Sequence, residues 1–143
     1  MAEPFLIGEN MTGGYGAVDI LHDCTLAVEP GEIAVIVGPN GAGKSTAMKA
    51  VFGMLNLRQG AVRLAGEDIT RLTPQARVRK GMGFVPQTHN IFTGMTVEEN
   101  LEMGAFIRDD DRIRDTMETI YGLFPILKQK RFPVSYTHLT QDR

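Results

Sequence analysis

Apolar residues change spacing several times along the chain, and each change marks an element. Phe5-Leu6-Ile7 opens a strand, and Met11 to Gly16 follows as a flexible, glycine-rich turn carrying one aromatic, Tyr15. Val18 to Val28 is strand-like, with Leu26 and Val28 alternating against Thr25 and Ala27, and Glu29-Pro30-Gly31-Glu32 is a turn. Ile33-Ala34-Val35-Ile36-Val37 is five apolar residues, four of them β-branched, which predicts a parallel strand buried on both faces. Ala47, Ala50, Val51, Met54 and Leu55 then recur at i, i+3, i+4, i+7, i+8, one face of a helix. Beyond a polar connection at Asn56 to Gly60, Ala61 to Ala65 alternates as a half-buried strand closed by Gly66-Glu67-Asp68. Two strands before residue 33 and one after residue 60 predict a small antiparallel sheet.

Thr73-Pro74 reads as N-cap and first residue of a short helix to about Lys80, with Arg77, Arg79 and Lys80 forming a solvated face. Gly81 to Gln87 predicts a short strand stopped by Pro86. Thr96-Val97-Glu98-Glu99 matches a capping box, and Val97, Leu101 and Gly104-Ala105 continue the helix. Asp109-Asp110-Asp111 reads as the solvated acidic start of another helix, with Ile113, Met117, Ile120 and Tyr121 on its face. The six methionines from 48 to 117 fall mostly at core-like positions.

The chemistry concentrates between the predicted buried strand and the first helix. Gly38-Pro39-Asn40-Gly41-Ala42-Gly43-Lys44-Ser45-Thr46 is an intact G-x-x-x-x-G-K-[ST] phosphate-binding loop. Glycines let backbone N–H groups converge on phosphate oxygens, and the helix N-terminus adds its partial positive charge. In that arrangement Lys44 reaches the β- and γ-phosphates, Ser45 offers a hydroxyl to Mg²⁺ and Thr46 donates to the α-phosphate. Gln87 sits at a predicted strand exit, where a neutral amide can help coordinate Mg²⁺ and orient a water. Taken alone, a glutamine at a strand end is more often an ordinary loop residue.

Composition narrows the partners. With 43% hydrophobic and 22% charged residues, 143 residues make one domain or part of one. A net charge of −2 with scattered Lys and Arg offers no basic face, so nucleic acid is not the expected partner. No apolar run reaches the roughly 18 residues of a membrane span, so contact with a membrane would go through another protein. Cys24 is alone, which excludes an internal disulfide, fits a reducing cytosol and reads as packing. His22, His89 and His138 share no metal-ligand spacing.

Taken together, Gly-Tyr-Gly at 14–16, the loop at 38–46, Phe-Val-Pro-Gln at 84–87 and Thr-Val-Glu-Glu-Asn-Leu-Glu-Met-Gly-Ala at 96–105 resemble the nucleotide-binding subunit of an ABC transporter. More narrowly, the chain is similar to the shorter of the two ATP-binding subunits of branched-chain amino acid importers, over residues from about 5 to 132. The resemblance implies a P-loop NTPase fold of α/β class, with a parallel core sheet and a small antiparallel β subdomain. It implies ATP with Mg²⁺ as ligands, adenine stacked on Tyr15, and Gln87 as the Q-loop glutamine that touches Mg²⁺ and the attacking water. The segment from His89 to about Met103 would lie near the membrane subunit. Integral membrane permease subunits and a second ATP-binding subunit are the implied partners, on the inner, cytoplasmic face of the cell membrane.

The family continues with a Leu-Ser-Gly-Gly-Gln-type signature, a strand ending in an Asp and the catalytic Glu, and a His switch; this sequence contains none of them. The resemblance therefore implies a domain cut before the signature, at best a nucleotide-binding fragment of an ATPase, with Ile33–Val37 partly unpaired. Val134-Ser135-Tyr136-Thr137-His138-Leu139 resembles one reading frame of a transposon-end sequencing adaptor, which marks 1–132 as domain and 133–143 as an artefactual or disordered tail. Three functions stand: an ATPase subunit powering amino acid import, a soluble ABC-type ATPase without a membrane partner, and a non-catalytic ATP-binding module.

Overall fold

A computed structural model of the chain describes residues 4–108 and 110–132, which fall into two compact units divided after Phe84. The first unit is built on a four-stranded antiparallel sheet. Strand β1 (Leu6–Tyr15) turns through Gly16 and Ala17 into β2 (Val18–Val28), and the antiparallel pair runs from Tyr15 opposite Val18 to Leu6 opposite Val28, with its register shifting between Gly8 and Gly14. Helix α1 (Lys44–Val51) follows the phosphate loop, then β3 (Asn56–Leu64) pairs with the free side of β1, and β4 (Glu67–Asp68) adds to the end of β3. The resulting order is β2-β1-β3-β4.

This sheet is larger than the apolar pattern predicts. The expected glycine-rich turn at 11–16 continues β1, with Met11 completely buried, and the expected polar connection at 56–60 is the first half of β3. Glycines and polar residues carry no apolar alternation, so pairing with β2 and β3 decides their conformation rather than their own spacing. Side chains patch the irregular stretch of β1: the Asn10 N–H donates to Thr25 Oγ1 at 2.9 Å, and the Asp23 N–H to Thr12 Oγ1 at 3.0 Å. The core sits where α1 lies on the sheet. Ala47, Ala50 and Val51 meet Met11, Leu21, Leu55, Val62, Leu64 and Ile69, and each large side chain buried there contributes roughly 1.5–3 kcal/mol.

Two predicted strands do not form. Ile33–Val37 carries no ladder among the described residues, and Ile33, Val35 and Val37 are 90%, 77% and 83% exposed. A strand of this composition needs a neighbour on each edge and cover on each face, and the sheet of β1 to β4 supplies neither. Gly81 to Gln87 is likewise unpaired, although Phe84 stacks on Phe52 with ring centroids 5.2 Å apart. The first helix also ends sooner than its apolar spacing suggests, at Val51 rather than Leu55, and leaves Met54 half exposed. Met48 and Met103 are exposed too, so these three methionines are not core residues.

Helix α2 (Pro74–Arg79) starts as predicted, with Thr73 accepting from the Ala76 N–H at 3.3 Å. Its face is not uniformly solvated, however, because Arg77 is buried.

The second unit is helical: α3 (Val97–Gly104), α4 (Ile113–Leu123) and α5 (Pro125–Gln129). The predicted capping box closes α3, with the Glu99 N–H donating to Thr96 Oγ1 and the Thr96 N–H to Glu99 Oε2 at 2.7 Å. Those bonds from Thr96 hold the Glu99 carboxyl below its ordinary pKa. A depressed carboxyl stabilises the fold above its unfolded pKa, so the cap is expected to fail as pH falls through the lower, folded value. Thr96→Ala should cost about 1 kcal/mol of local helix stability, read as faster amide exchange at residues 98–101; unchanged exchange would exclude a capping role. Of the three consecutive aspartates, Asp109 lies outside the described residues. Asp110 pairs with Arg108 at 2.8 Å, which lowers its pKa, and accepts from the Arg112 N–H just before α4. Met117 and Tyr121 are buried on α4, as the spacing predicts.

Candidate functional site

The motif from Gly38 to Thr46 passes from loop to helix at Gly43, which holds φ 83°, left-handed, at the N-cap of α1. A side chain would be strained there, which is the physical content of the motif's second glycine. The helix ladder begins with the Ala47 N–H donating to Gly43 O at 2.8 Å, so the N–H groups of Lys44, Ser45 and Thr46 precede its first bond. No acidic residue occupies the first turn. The Lys44 ammonium curls over the loop and donates to Gly38 O and Pro39 O, both at 2.7 Å. An ammonium has three protons, so one donor and the full charge remain for an anion beside the helix end. Ala42 donates its N–H to Pro39 O at 3.3 Å, closing the loop on itself, while Asn40, Gly41, Ala42 and Ser45 are exposed.

The sheet brings Tyr15 to the same helix. It is the last residue of β1 and is 47% exposed, with the Lys49 ammonium 5.8 Å from its ring centroid. Lys49 was not legible as a site residue, because its contact with Tyr15 depends on how the β1–β2 hairpin lies against α1. The opposite ring face of a tyrosine held in this way can stack on a planar base. Gln87 is exposed and belongs to the second unit.

Among the described residues no cluster of three or more His, Cys, Asp or Glu is arranged to hold a metal. The loop offers a cation the neutral hydroxyl of Ser45. One neutral oxygen suits Mg²⁺, which takes most of its ligands from phosphate and water and holds few protein contacts. Cys24 is half-buried in β2, where a packing role was expected, and His89 is exposed.

Residues 21–140 match the model of the ABC transporter family. The chain is 38% identical over 118 residues to the probable branched-chain amino acid transport ATP-binding protein LivF of Archaeoglobus fulgidus, covering 82% of this chain and 50% of that protein. It is 39% identical over 116 residues to the high-affinity branched-chain amino acid transport ATP-binding protein BraG of Pseudomonas aeruginosa, covering 81% and 50%. It is also 39% identical over 105 residues to the lipopolysaccharide export system ATP-binding protein LptB of Haemophilus influenzae, covering 73% and 44%. A crystal structure of a nucleotide-free ATP-binding cassette from an ABC transporter superposes with a TM-score of 0.77 at 26% identity, over 92% of this chain and 58% of that one. The chain thus spans about half the length of the curated relatives it matches. No helix among the described residues is long and apolar enough to cross a membrane.

Proposed function

The chain belongs to the ABC transporter family, and from that membership we propose that it binds ATP as part of an ATPase subunit that powers import of branched-chain amino acids. The observation that carries the reading is the junction of loop and helix, where the Lys44 ammonium lies against the loop carbonyls at a helix end without acids. Amide donors of the first turn and the Lys44 charge receive the β- and γ-phosphates, Thr46 the α-phosphate, and Gly38, Asn40, Gly41, Ala42 and Gly43 supply backbone that approaches them closely. Tyr15 stacks on the adenine. Ser45, with help from Gln87, would hold Mg²⁺ beside the nucleotide, and the ion would supply charge neutralisation on the phosphates.

ATP binding is the activity that these residues support. Hydrolysis and transport are proposed for the whole subunit, working with integral membrane permease subunits and a second ATP-binding subunit at the cytoplasmic face of the membrane. The branched-chain specificity draws on LivF and BraG together with residues 96–105, whereas LptB favours export of a lipid as the second reading. The test is leucine uptake by cells in which the gene for the whole subunit is deleted and then restored. Lost and recovered uptake supports import; unaltered uptake with a defect in the outer membrane favours the second reading.

Tyr15→Ala should weaken ATP binding by about 1 kcal/mol, roughly five-fold, while leaving the affinity for tripolyphosphate unchanged. Equal affinity of both forms for ATP, measured by titration calorimetry, would reject the stacking role.

A further inference from the structure

Arg77 is 1% exposed, and among the described residues every hydrogen bond its guanidinium makes goes to backbone oxygen. Nε donates to Leu72 O at 3.1 Å, Nη2 to Thr70 O at 2.9 Å, and Nη1 to Val51 O at 2.5 Å and Ala50 O at 3.4 Å. Burial lowers its pKa, opposed by the charge of Asp68, yet an arginine stays protonated in proteins. A whole positive charge therefore lies among carbonyl dipoles, with no carboxylate bonded to it among the described residues.

Two of those carbonyls end α1. The helix closes with the Gly53 N–H on Ala50 O at 3.0 Å and the Met54 N–H on Lys49 O at 2.8 Å, a Schellman pair. That pair leaves Val51 O unused, and Arg77 takes it. Room for the guanidinium comes from Gly53, where a Cβ would stand 2.7 Å from Arg77 Nε. On its other side, Arg77 offers its own carbonyl to the N–H groups of Lys80 and Met82, at 3.1 and 3.2 Å, where the chain leaves α2 for Phe84. One residue thus ties the carbonyl end of the phosphate-loop helix to the segment that continues to Gln87.

We propose that Arg77 is a positioning residue for nucleotide binding: its guanidinium holds the carbonyl end of α1 and so fixes, at the other end of the same helix, the loop that receives the phosphates. This rests on reading that loop as an ATP site. Eight residues make a helix only ~12 Å long, and the side chains it buries, Ala47, Ala50 and Val51, are small. Apolar contact with the sheet alone gives such a helix little resistance to sliding. Phosphates at its amino end pull along the axis, and the forked bonds at the opposite end resist that pull. A cation at the carbonyl end also complements the helix dipole.

The test compares Arg77→Met and Arg77→Lys with the unsubstituted 143-residue chain. Competition against a fluorescent ATP analogue gives affinities for ATP, tripolyphosphate and adenosine, and amide exchange is followed without nucleotide. Arg77→Met should bind ATP and tripolyphosphate about ten-fold more weakly with adenosine changed less than two-fold, and Arg77→Lys should fall between. Exchange at Ala47 to Val51 should quicken while Met11 and Val62 keep their protection. Unchanged binding would overturn the proposal, as would one common loss for all three ligands or one common rise in exchange, since a general loss of stability produces both. Should Arg77→Met not fold, Arg77→Lys keeps the charge without the fork and gives the same comparison. If the unsubstituted chain binds none of the three ligands, the ATP reading is what has failed and the positioning role falls with it. Exchange confined to α1 then still reports whether Arg77 holds the helix.

Discussion

Replacing Lys44 by alanine should reduce ATP affinity by about a hundred-fold or more, to the limit of detection in a calorimetric titration. The ammonium is the only side-chain cation placed within the loop, and charged hydrogen bonds are worth about 1.5–3 kcal/mol each. The loss has a second source. Lys44 also bonds Gly38 O and Pro39 O, so its removal frees the loop to adopt conformations in which the first-turn amides no longer converge. Adenosine, which lacks phosphates, should bind both forms alike. ATP affinity retained in Lys44→Ala would remove the loop from the site altogether.

Gly53→Ala should destabilise the first unit by at least about 3 kcal/mol in equilibrium urea unfolding. The residue holds φ 80°, where a Cβ costs roughly 1–2 kcal/mol by itself. The new methyl would also meet Arg77 Nε at 2.7 Å, Cζ at 2.9 Å and Leu72 O at 3.0 Å. Moving the guanidinium away strands buried carbonyls, each at a cost of about 1–3 kcal/mol. Gly31→Ala provides the comparison, because that glycine is also left-handed, at φ 76°, but a Cβ there would meet nothing within 4 Å. It should lose only the conformational part. Equal midpoints for the two variants would mean that the Gly53 methyl is accommodated and that Arg77 is not tightly held.

What the chain discloses in one dimension depends on how local the cause is. The phosphate loop, the capping box at Thr96 and the Thr73-Pro74 start of α2 are each decided within a few residues, and all were legible. The fold is that of an ABC ATP-binding cassette, as the four motifs in order imply, and the antiparallel β subdomain forms as expected. The extent of β1 was not legible, because Gly13 and Gly14 are strand residues only by virtue of partners on both sides. Ile33–Val37 has the opposite problem: its composition signals a strand, but a strand also needs neighbours, and none forms there. The burial of Arg77 depends on Gly53, a residue 24 positions earlier whose missing side chain makes the space. Three basic residues in seven positions give no sign of which one turns inward.

The uncovered Ile33–Val37 segment bears on how this chain behaves in a crowded solution. An uncharged, β-branched run that carries no ladder among the described residues is a template for a second molecule, and nothing between Glu32 and Lys44 carries a charge to keep copies apart. Solubility should therefore have a threshold in concentration, with light scattering rising steeply above it. Val35→Lys, which places a charge in the middle of that template, should raise the threshold without touching the loop.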